Sequence, residues 1–268
     1  MRRLILSFFL SVMTFSVAAS SVLDSAFDHS RWDGLLKKHV VSINQGVATQ
    51  VDYGGFARDR FQLKGYLSSL ESVSQATFER WSKPEQLAFL INAYNAWTVE
   101  LVLTGYPGIE SIKDLGSWLQ SPWQKTFIPL LGKPRSLDDI EHGLIRAEGK
   151  YQEPRIHFAV NCASIGCPAL SATAYNGANI ETQLDEAAQY FLSDRSRNRL
   201  EESRLNISMI FKWYREDFER GWGGYQRLEQ FLSAYGDSLG LSAADIQRLN
   251  SGAIEIEFLD YDWNLNRK

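Results

Sequence analysis

The sequence predicts a single α+β domain, and three observations support that prediction. The chain has 268 residues, 44% of them apolar, which is enough for one sizeable core, and no repeat, low-complexity tract or linker divides it. One long segment is apolar on nearly every side, as is typical of a helix buried inside a domain. The segments that read as strands are short and scattered among helices, without the regular alternation of a doubly wound sheet.

The first residues predict a secretory signal peptide. A positively charged start precedes an apolar run at residues 4–17, which is shorter than a membrane span, and Val17 and Ala19 fit positions −3 and −1 of a cleavage site. We therefore expect a signal peptide at 1–19, a mature domain at 20–268, and a periplasmic or secreted location. The alternative is an uncleaved membrane anchor. No later segment has the apolar length of a membrane helix, so we expect no membrane span after cleavage.

The charge balance excludes one class of partner. The chain carries 28 Lys and Arg against 32 Asp and Glu, a net charge of −4, which falls to about −6 when the two arginines of the signal peptide are removed. Binding to nucleic acid needs clustered Lys and Arg, and the arginine-rich stretch at 195–204 also contains Glu201 and Glu202. We therefore expect no nucleic-acid partner.

Hydrophobic periodicity and capping residues predict the elements in chain order. Helices are predicted over residues 21–40, 59–73, 82–103, 136–146, 180–192, 225–235 and 243–249, with one or two helical turns within 209–218. Short extended segments are predicted at 51–53, 156–161, 205–208 and 254–258, and a hairpin at 127–133.

The segment 82–103 is the strongest helix prediction. Ser82 and Glu85 have the spacing of a capping box. The body of the helix is apolar around Asn92 and Asn95, so both amides are expected to be buried. A buried amide without hydrogen-bond partners costs about 1–3 kcal/mol. The two asparagines therefore either complete a site or bind nearby backbone and fix the core.

Reactive side chains concentrate in one part of the chain. Both cysteines, Cys162 and Cys167, lie in the stretch from Arg155 to Pro168 together with His157, and His142 lies just upstream. Two thiols and two imidazoles within about thirty residues predict a site here.

Strand geometry limits which imidazole can meet the thiol. If residues 156–161 form a strand, His157 and Asn161 face one side and Cys162 faces the other, because side chains alternate along a strand. His142 is then the available base for Cys162. His157 becomes possible only if the chain turns at Asn161.

We expect Cys162 to act as a nucleophile, because an adjacent imidazole promotes the reactive thiolate. A carboxylate or amide usually orients that imidazole, and the candidates for this role are Glu141, Asn92, Asn95 and Asn161. Ser164 and nearby backbone N–H groups can bind an oxyanion.

Glu141 is also a candidate for a different role. On a helix its side chain diverges from that of His142 by about 100°. We therefore expect Glu141 to pair with Arg146 or Arg155 rather than with its neighbour.

Three other uses of the same residues remain open. The C-x4-C spacing permits a Cys162–Cys167 disulfide, which an oxidising compartment favours. A reversible disulfide would make a redox site, although the C-x-x-C motif is absent. His142, His157, Cys162 and Cys167 offer four ligands for zinc, but their spacings match no standard site, so we expect no metal and no cofactor.

Five motifs in order resemble a known family. They are Asn92–Ala96, Glu141–Arg146, Arg155–Ser164 with Cys167–Pro168, Phe211–Tyr214 with Asp217–Phe218, and Tyr261–Trp263. Together they resemble the domain-of-unknown-function 547 family, from about Phe27 to the C-terminus. That family is similar to the papain-like and transglutaminase-like cysteine-peptidase superfamily. The resemblance implies a central buried helix packed on a small antiparallel sheet, with additional helices around it.

The resemblance leaves two hypotheses for function. The superfamily usually places its nucleophilic cysteine at the start of the central helix, whereas this helix has none, so the site would be rebuilt around Cys162. The first hypothesis is an exported cysteine-dependent hydrolase or acyltransferase acting on an amide or peptide-like substrate. The second is a non-catalytic periplasmic binding or envelope-associated module with a Cys162–Cys167 disulfide. The expected partner is a peptide or a component of the cell envelope.

Overall fold

A computed structural model describes residues 26–268, so the predicted signal peptide lies outside the described part of the chain. Helices and small sheets alternate along these residues, which confirms the predicted α+β class. The helices are α1 Ser30–His39, α2 Tyr53–Arg58, α3 Arg60–Glu71, α4 Gln75–Arg80, α5 Lys83–Leu103, α6 Ile180–Ser193, α7 Ile210–Trp213, α8 Arg215–Glu219, α9 Leu228–Ala234, α10 Gly236–Leu239 and α11 Ala243–Asn250. The strands are β1 Val40–Ile43, β2 Ala48–Val51, β3 Ile128–Leu130, β4 Lys133–Arg135, β5 Arg199–Glu201, β6 Arg204–Ser208 and β7 Glu255–Leu259.

The strands form three separate small sheets. Strands β1 and β2 pair antiparallel, as do β3 and β4. In the third sheet β6 is central, antiparallel to β5 and parallel to β7, with Leu205 opposite Ile256. The helix α5 lies mainly against α2, α3, α6 and the segment Asp139–Ile145 rather than on one antiparallel sheet.

The buried helix α5 forms as its local sequence predicts. The side chain of Ser82 accepts from the backbone N–H of Glu85, and the Glu85 carboxylate accepts from the N–H of Ser82, so the predicted capping box is present. Every side chain from residue 86 to residue 103 is buried. Neither α5 nor any other helix within residues 26–268 meets the length and apolarity needed to cross a membrane.

Two apolar clusters make up the interior. The first surrounds α5 and includes side chains of α1, α2 and α3. The second joins α6, β6 and helices α7–α11, with tilted phenylalanine rings from α7, α8 and α9 at its centre. Ile156 belongs to the first cluster and Phe158 to the second, so the short segment that holds them lies between the two.

The predicted strand at 156–161 is wrong. Pro154–Phe158 is a 3-10 helix, which begins where the Glu153 carboxylate accepts from the N–H of Arg155. Apolar side chains on the two sides of this short segment pack into two different clusters. The segment is therefore a continuous apolar run, and periodicity alone cannot distinguish such a run from a buried strand. Because the chain is not extended here, alternation does not govern where His157 and Cys162 point.

The predicted helix at 136–146 is present in an altered form. Asp139–Ile145 is π-helical, and the N–H of Arg146 donates to the carbonyl of Glu141 at 2.8 Å, five residues back. The wider turn changes which side chains share a face, and π-helical segments are frequent at functional sites. It buries Glu141 while His142 remains partly exposed.

Candidate functional site: a dithiol cavity

The loop that follows the 3-10 helix is shaped by Asn161. Its side-chain amide donates to the carbonyl of Pro168 at 2.7 Å, and its carbonyl oxygen accepts from the N–H of Ala163 at 2.9 Å. Ala163 has a φ of 64°, in the left-handed region that non-glycine residues rarely adopt. These bonds turn the chain back on itself, so that Cys162 and Cys167 face each other.

The C-terminal segment closes the other side of this loop. The N–H groups of Ile165 and Gly166 each donate at 2.8 Å, to the carbonyls of Asn264 and Asp262 respectively. A Cβ atom on Gly166 would lie 2.9 Å from the ring of Tyr261, so only glycine permits this close approach. The contact places the Tyr261 hydroxyl beside Cys162.

The two sulfur atoms lie 2.7 Å apart, and both cysteines are free thiols. Cys167 is buried, with 6% of its surface exposed, whereas Cys162 is half-buried. The hydroxyls of Tyr261 and Ser164 lie 3.1 Å and 3.3 Å from the Cys162 sulfur. The pair is therefore asymmetric, because Cys162 is more exposed than Cys167.

The surroundings of the two thiols shift their pKa values in opposite directions. Burial opposes ionisation of Cys162, but hydrogen bonds from Cys167, Ser164 and Tyr261 outweigh it and lower the pKa of Cys162. Burial and the adjoining Cys162 sulfur raise the pKa of Cys167 well above its usual range. Cys162 is therefore the stronger candidate for the reactive thiolate.

Both cysteines open into a cavity of about 240 Å³. Most of the predicted catalytic residues contribute to its wall together with several aromatic side chains. The lining residues are Tyr94, Ser121, Trp123, Asp138, Glu141, His142, His157, Val160, Cys162, Cys167, Pro168, Ile210, Trp213, Tyr214, Tyr261 and Trp263.

His157 forms a buried pair with a carboxylate that is distant in sequence. Its Nε2 lies 2.7 Å from Oδ2 of Asp217, and its ring stacks on Tyr214 with centroids 3.8 Å apart. Burial raises the pKa of Asp217, but hydrogen bonds from His157 and Arg146 outweigh it, so the pKa of Asp217 is strongly lowered and the group is ionised. An ionised carboxylate only accepts, so Nε2 carries the hydrogen, and burial lowers the pKa of His157 so that Nδ1 holds a lone pair.

His142 lies at the same cavity with other partners. The guanidinium of Arg146 donates to its Nδ1, and its Nε2 lies 3.9 Å from the Asp138 carboxylate. Neither His142 nor His157 forms a hydrogen bond with Cys162 among the described residues. The cavity thus brings the thiols and imidazoles together without pairing them.

Glu141 lies on the cavity wall without a salt bridge to the arginines considered above. Arg146 bonds Asp217, and Arg155 bonds Glu153 and Glu181. The Glu141 carboxylate instead faces phenols: burial and its negative charge raise the pKa of both Tyr214 and Tyr94. Its Oε1 is buried without a hydrogen-bond partner among the described residues.

The two asparagines of α5 hold backbone rather than catalytic groups. Asn92 donates to the carbonyl of Tyr175 at 2.8 Å and accepts from its N–H at 3.0 Å. Asn95 donates to the carbonyl of Ala159 at 2.9 Å and accepts from the N–H of Asn161 at 2.8 Å. Asn95 therefore supports the cysteine loop from below, while Asn92 supports a loop elsewhere.

The zinc alternative finds no support in the geometry. Within residues 26–268, no group of three or more His, Cys, Asp or Glu side chains is placed to hold a metal ion. His142, His157, Cys162 and Cys167 therefore do not converge as a ligand set, even though all four line the cavity.

Three tyrosines of the cavity wall, and the Asp217 carboxylate that bonds His157 from outside that wall, were not among the predicted site residues. Asp217, Tyr214 and Tyr261 belong to the motifs that carry the family resemblance, and their polar groups within those motifs were the available signal. Tyr94 lies between Asn92 and Asn95 and reads as an ordinary core residue. Asp217, Tyr214 and Tyr261 each contact a partner that is far away in the sequence.

The chain is therefore an α+β protein whose cavity contains an asymmetric pair of thiols. Residues 78–192 match the family described as "Protein of unknown function, DUF547", which supports the resemblance that the motifs predict. The match includes α5, Glu141, both imidazoles and both cysteines, whereas Tyr214, Asp217 and Tyr261 lie beyond it. No curated protein and no solved structure matches the chain.

Proposed function

We propose that the protein carries out thiol–disulfide exchange, with Cys162 as the attacking thiol and Cys167 as the resolving thiol. The observation that supports this proposal is the 2.7 Å separation of two free sulfurs, one facing a cavity and one buried. Thiol–disulfide exchange needs an accessible thiolate and a second thiol within reach of the mixed disulfide. Neither requirement needs a general base beside the Cys162 sulfur, which is consistent with the lack of a hydrogen bond between that sulfur and either cavity imidazole.

The reaction balances with a substrate disulfide as oxidant. The Cys162 thiolate attacks one sulfur, the substrate S–S bond breaks, and one substrate thiolate leaves. Cys167 loses its proton and attacks the Cys162 sulfur, so the mixed disulfide breaks and the second substrate thiolate leaves. The substrate gains two electrons and the protein gains the Cys162–Cys167 disulfide; the reverse sequence oxidises a substrate dithiol.

The test uses Cys167→Ser and Cys162→Ser in the reduced protein treated with a small disulfide. We expect Cys167→Ser to accumulate a mixed disulfide on Cys162, detected by mass spectrometry, because no second thiol can resolve it. The unaltered protein should instead end as an internal disulfide, and Cys162→Ser should remain largely unmodified. Preferential modification of Cys167 would contradict the assignment of roles.

The same pair also supports the non-catalytic alternative, a structural Cys162–Cys167 bridge. Structural disulfides typically have potentials below about −300 mV, and exchange-active ones lie higher. Equilibration with a glutathione buffer measures the potential directly. A value below that limit, with no mixed disulfide formed by Cys167→Ser, would favour a binding or envelope-associated module over an oxidoreductase.

A second candidate function is amide hydrolysis or acyl transfer in a papain-like fold, and the His157–Asp217 pair favours it. A carboxylate on one imidazole nitrogen and a free lone pair on the other suit a general base. Cys162 would add to a carbonyl, the amine would leave with a proton from the imidazole, and water would cleave the thioester. Activity on a peptide library that survives Cys167→Ser but not Cys162→Ser would favour this candidate over disulfide exchange.

We propose that the protein acts outside the cytoplasm, on a peptide or a cell-envelope component. The supporting pattern is the charged start, the apolar run and the small residues at Val17 and Ala19. An oxidising compartment also supplies the disulfides that the exchange reaction needs. Sequencing the N-terminus of the mature protein tests the export step: Ser20 is the expected first residue, and an intact Met1 would contradict cleavage.

A further inference from the structure

We propose that the cavity beside Cys162 binds a primary ammonium group in front of Glu141, so that its preferred substrate is a small disulfide carrying amino groups. The reaction in this statement rests on the proposed thiol–disulfide exchange. The binding of the ammonium group does not, because it depends on other side chains of the cavity.

Two buried acceptors on the cavity wall have no donor. Oε1 of Glu141 and Nδ1 of His157 are both without hydrogen-bond partners among the described residues, and their side chains are 5% and 2% exposed. Nδ1 is an acceptor because Nε2 donates to Asp217. Buried polar atoms are nearly always satisfied, so two unpaired acceptors in one wall point to a missing donor.

The charges of the cavity favour a cation. Asp138 and Glu141 line it, and no lysine or arginine among residues 26–268 does. The guanidinium of Arg146 is engaged by the Asp217 carboxylate and the His142 ring. A cationic donor would therefore meet a carboxylate that forms no salt bridge with the described residues, whereas an anionic ligand would be repelled by it.

The aromatic rim also suits an ammonium group. Trp213, Tyr261 and Trp263 contact one another, with ring centroids 4.5 to 5.7 Å apart. The ammonium group of Lys113 already lies 3.5 Å from the centroid of Trp263, in a cation–π contact. Trp213 is 43% exposed and lines the cavity, so its ring is available to a second cation.

The size of the cavity limits the ligand. A volume of about 240 Å³ equals that of roughly eight water molecules in the liquid. A folded protein domain cannot enter such a space, but a short aliphatic disulfide can. Glu141 and Cys162 line the same cavity, so the probe chosen is a disulfide whose amino groups lie two carbons from its sulfur atoms.

The test compares three disulfides of similar length that differ in charge. These are cystamine, which carries two ammonium groups, bis(2-hydroxyethyl) disulfide, which is neutral, and dithiodiglycolate, which carries two carboxylates. Rate constants are measured with the reduced full-length protein, with Glu141→Gln, and with Glu71→Gln as the matched control at an exposed position on α3. The readout is the ratio of the cystamine rate to the neutral rate, which cancels any general change in thiol reactivity.

We expect Glu141→Gln to reduce that ratio by about tenfold, as for the loss of one hydrogen bond to a charged group. Glu71→Gln should leave the ratio unchanged. Any general preference of a thiolate for a cationic disulfide is present in both variants, so a difference between them reports on Glu141 itself. An equal ratio in Glu141→Gln and the unaltered protein would overturn the proposal, even though disulfide exchange itself would stand.

A binding measurement separates the two proposals. In Cys162→Ser, which has no attacking thiol, butylammonium is expected to shift the NMR signals of the cavity residues, whereas butanol at the same concentration should not. Saturable binding of butylammonium without any disulfide exchange in the unaltered protein would support the ammonium site and reject the reaction. Absence of binding to the folded variant would reject the ammonium site.

Discussion

Asn95 accepts a hydrogen bond at 2.8 Å from the backbone N–H of Asn161, the residue directly before the cavity-facing cysteine. The same side chain donates to the carbonyl of Ala159 at 2.9 Å, so a single amide holds both ends of the three-residue segment 159–161. Because Asn95 lies in the buried body of α5, the position of Cys162 is tied to a helix in the middle of the first apolar cluster.

Replacing Asn95 with Ala should therefore affect both stability and the thiol pair. The substitution leaves the Ala159 carbonyl and the Asn161 N–H buried without partners, so we expect a loss of about 2–4 kcal/mol in the free energy of unfolding. A looser loop should also lower the effective concentration of Cys167 at Cys162 by about tenfold. Urea denaturation and equilibration with glutathione measure the two effects.

Asn92→Ala provides the matched control. Asn92 bonds Tyr175 in the same two-bond arrangement, also on α5, but supports a loop outside the cavity. We expect a similar loss of stability with no change in the thiol–disulfide equilibrium. If both variants shift that equilibrium equally, Asn95 acts only through global stability.

Local signals were sufficient to predict most of the helices and the proximity of the thiols and imidazoles. The sequence predicts both the capping box of Ser82 and Glu85 and the apolar body of α5, because each depends only on residues that are close together in the sequence. The crowding of Cys162, Cys167, His142 and His157 in the sequence predicted that they lie near one another, and all four line one cavity.

Partners that are distant in sequence were beyond the reach of local spacing. His157 bonds a carboxylate 60 residues away, and Cys162 contacts the Tyr261 hydroxyl 99 residues away. The apolar run at 156–161 is compatible with a strand or with a helix. Its actual conformation depends on packing against the two clusters that it separates, which the local sequence does not show. The π-helical turn at Glu141 likewise depends on tertiary packing, which the spacing of apolar residues in the sequence does not reveal.

The His157–Asp217 pair predicts a defined tautomer. The ionised Asp217 carboxylate requires hydrogen on Nε2 of His157, so nitrogen NMR of the imidazole should show a single tautomer with Nδ1 unprotonated. In Asp217→Asn the amide can donate or accept, and we expect the Nδ1–H tautomer to gain population. Arg146 and Arg220 also lose their carboxylate, so the free energy of unfolding should fall by about 3–5 kcal/mol.

Asp138→Asn is the control for this effect. Asp138 lies 3.9 Å from the other cavity imidazole, His142, and is 34% exposed, so its replacement should cost at most about 1 kcal/mol. It should leave the NMR signals of His157 in place. An unchanged tautomer of His157 in Asp217→Asn would show that other contacts, such as the Tyr214 stack, orient the ring.

His29 predicts a loss of stability in mild acid. Burial lowers the pKa of His29 to about 4, below the value of about 6.5 expected in the unfolded chain. Between these two values the unfolded chain binds a proton that the folded chain does not, so stability is full above about pH 6.5 and falls as the pH drops towards 4. For a partly exposed ring the loss should be about 1–3 kcal/mol.

The check is the free energy of unfolding at pH 8 and pH 4.5 for the unaltered protein and for His29→Gln. At pH 8 the difference between the two gives the cost of losing the 2.7 Å contact between His29 Nδ1 and the Tyr66 hydroxyl. The lowered pKa of His157 also makes stability fall as the pH drops, but equally in both proteins, so its contribution cancels in the difference between them. At pH 4.5 the difference should narrow or reverse, because glutamine does not titrate, and a difference that stays constant with pH would assign the acid sensitivity to other groups.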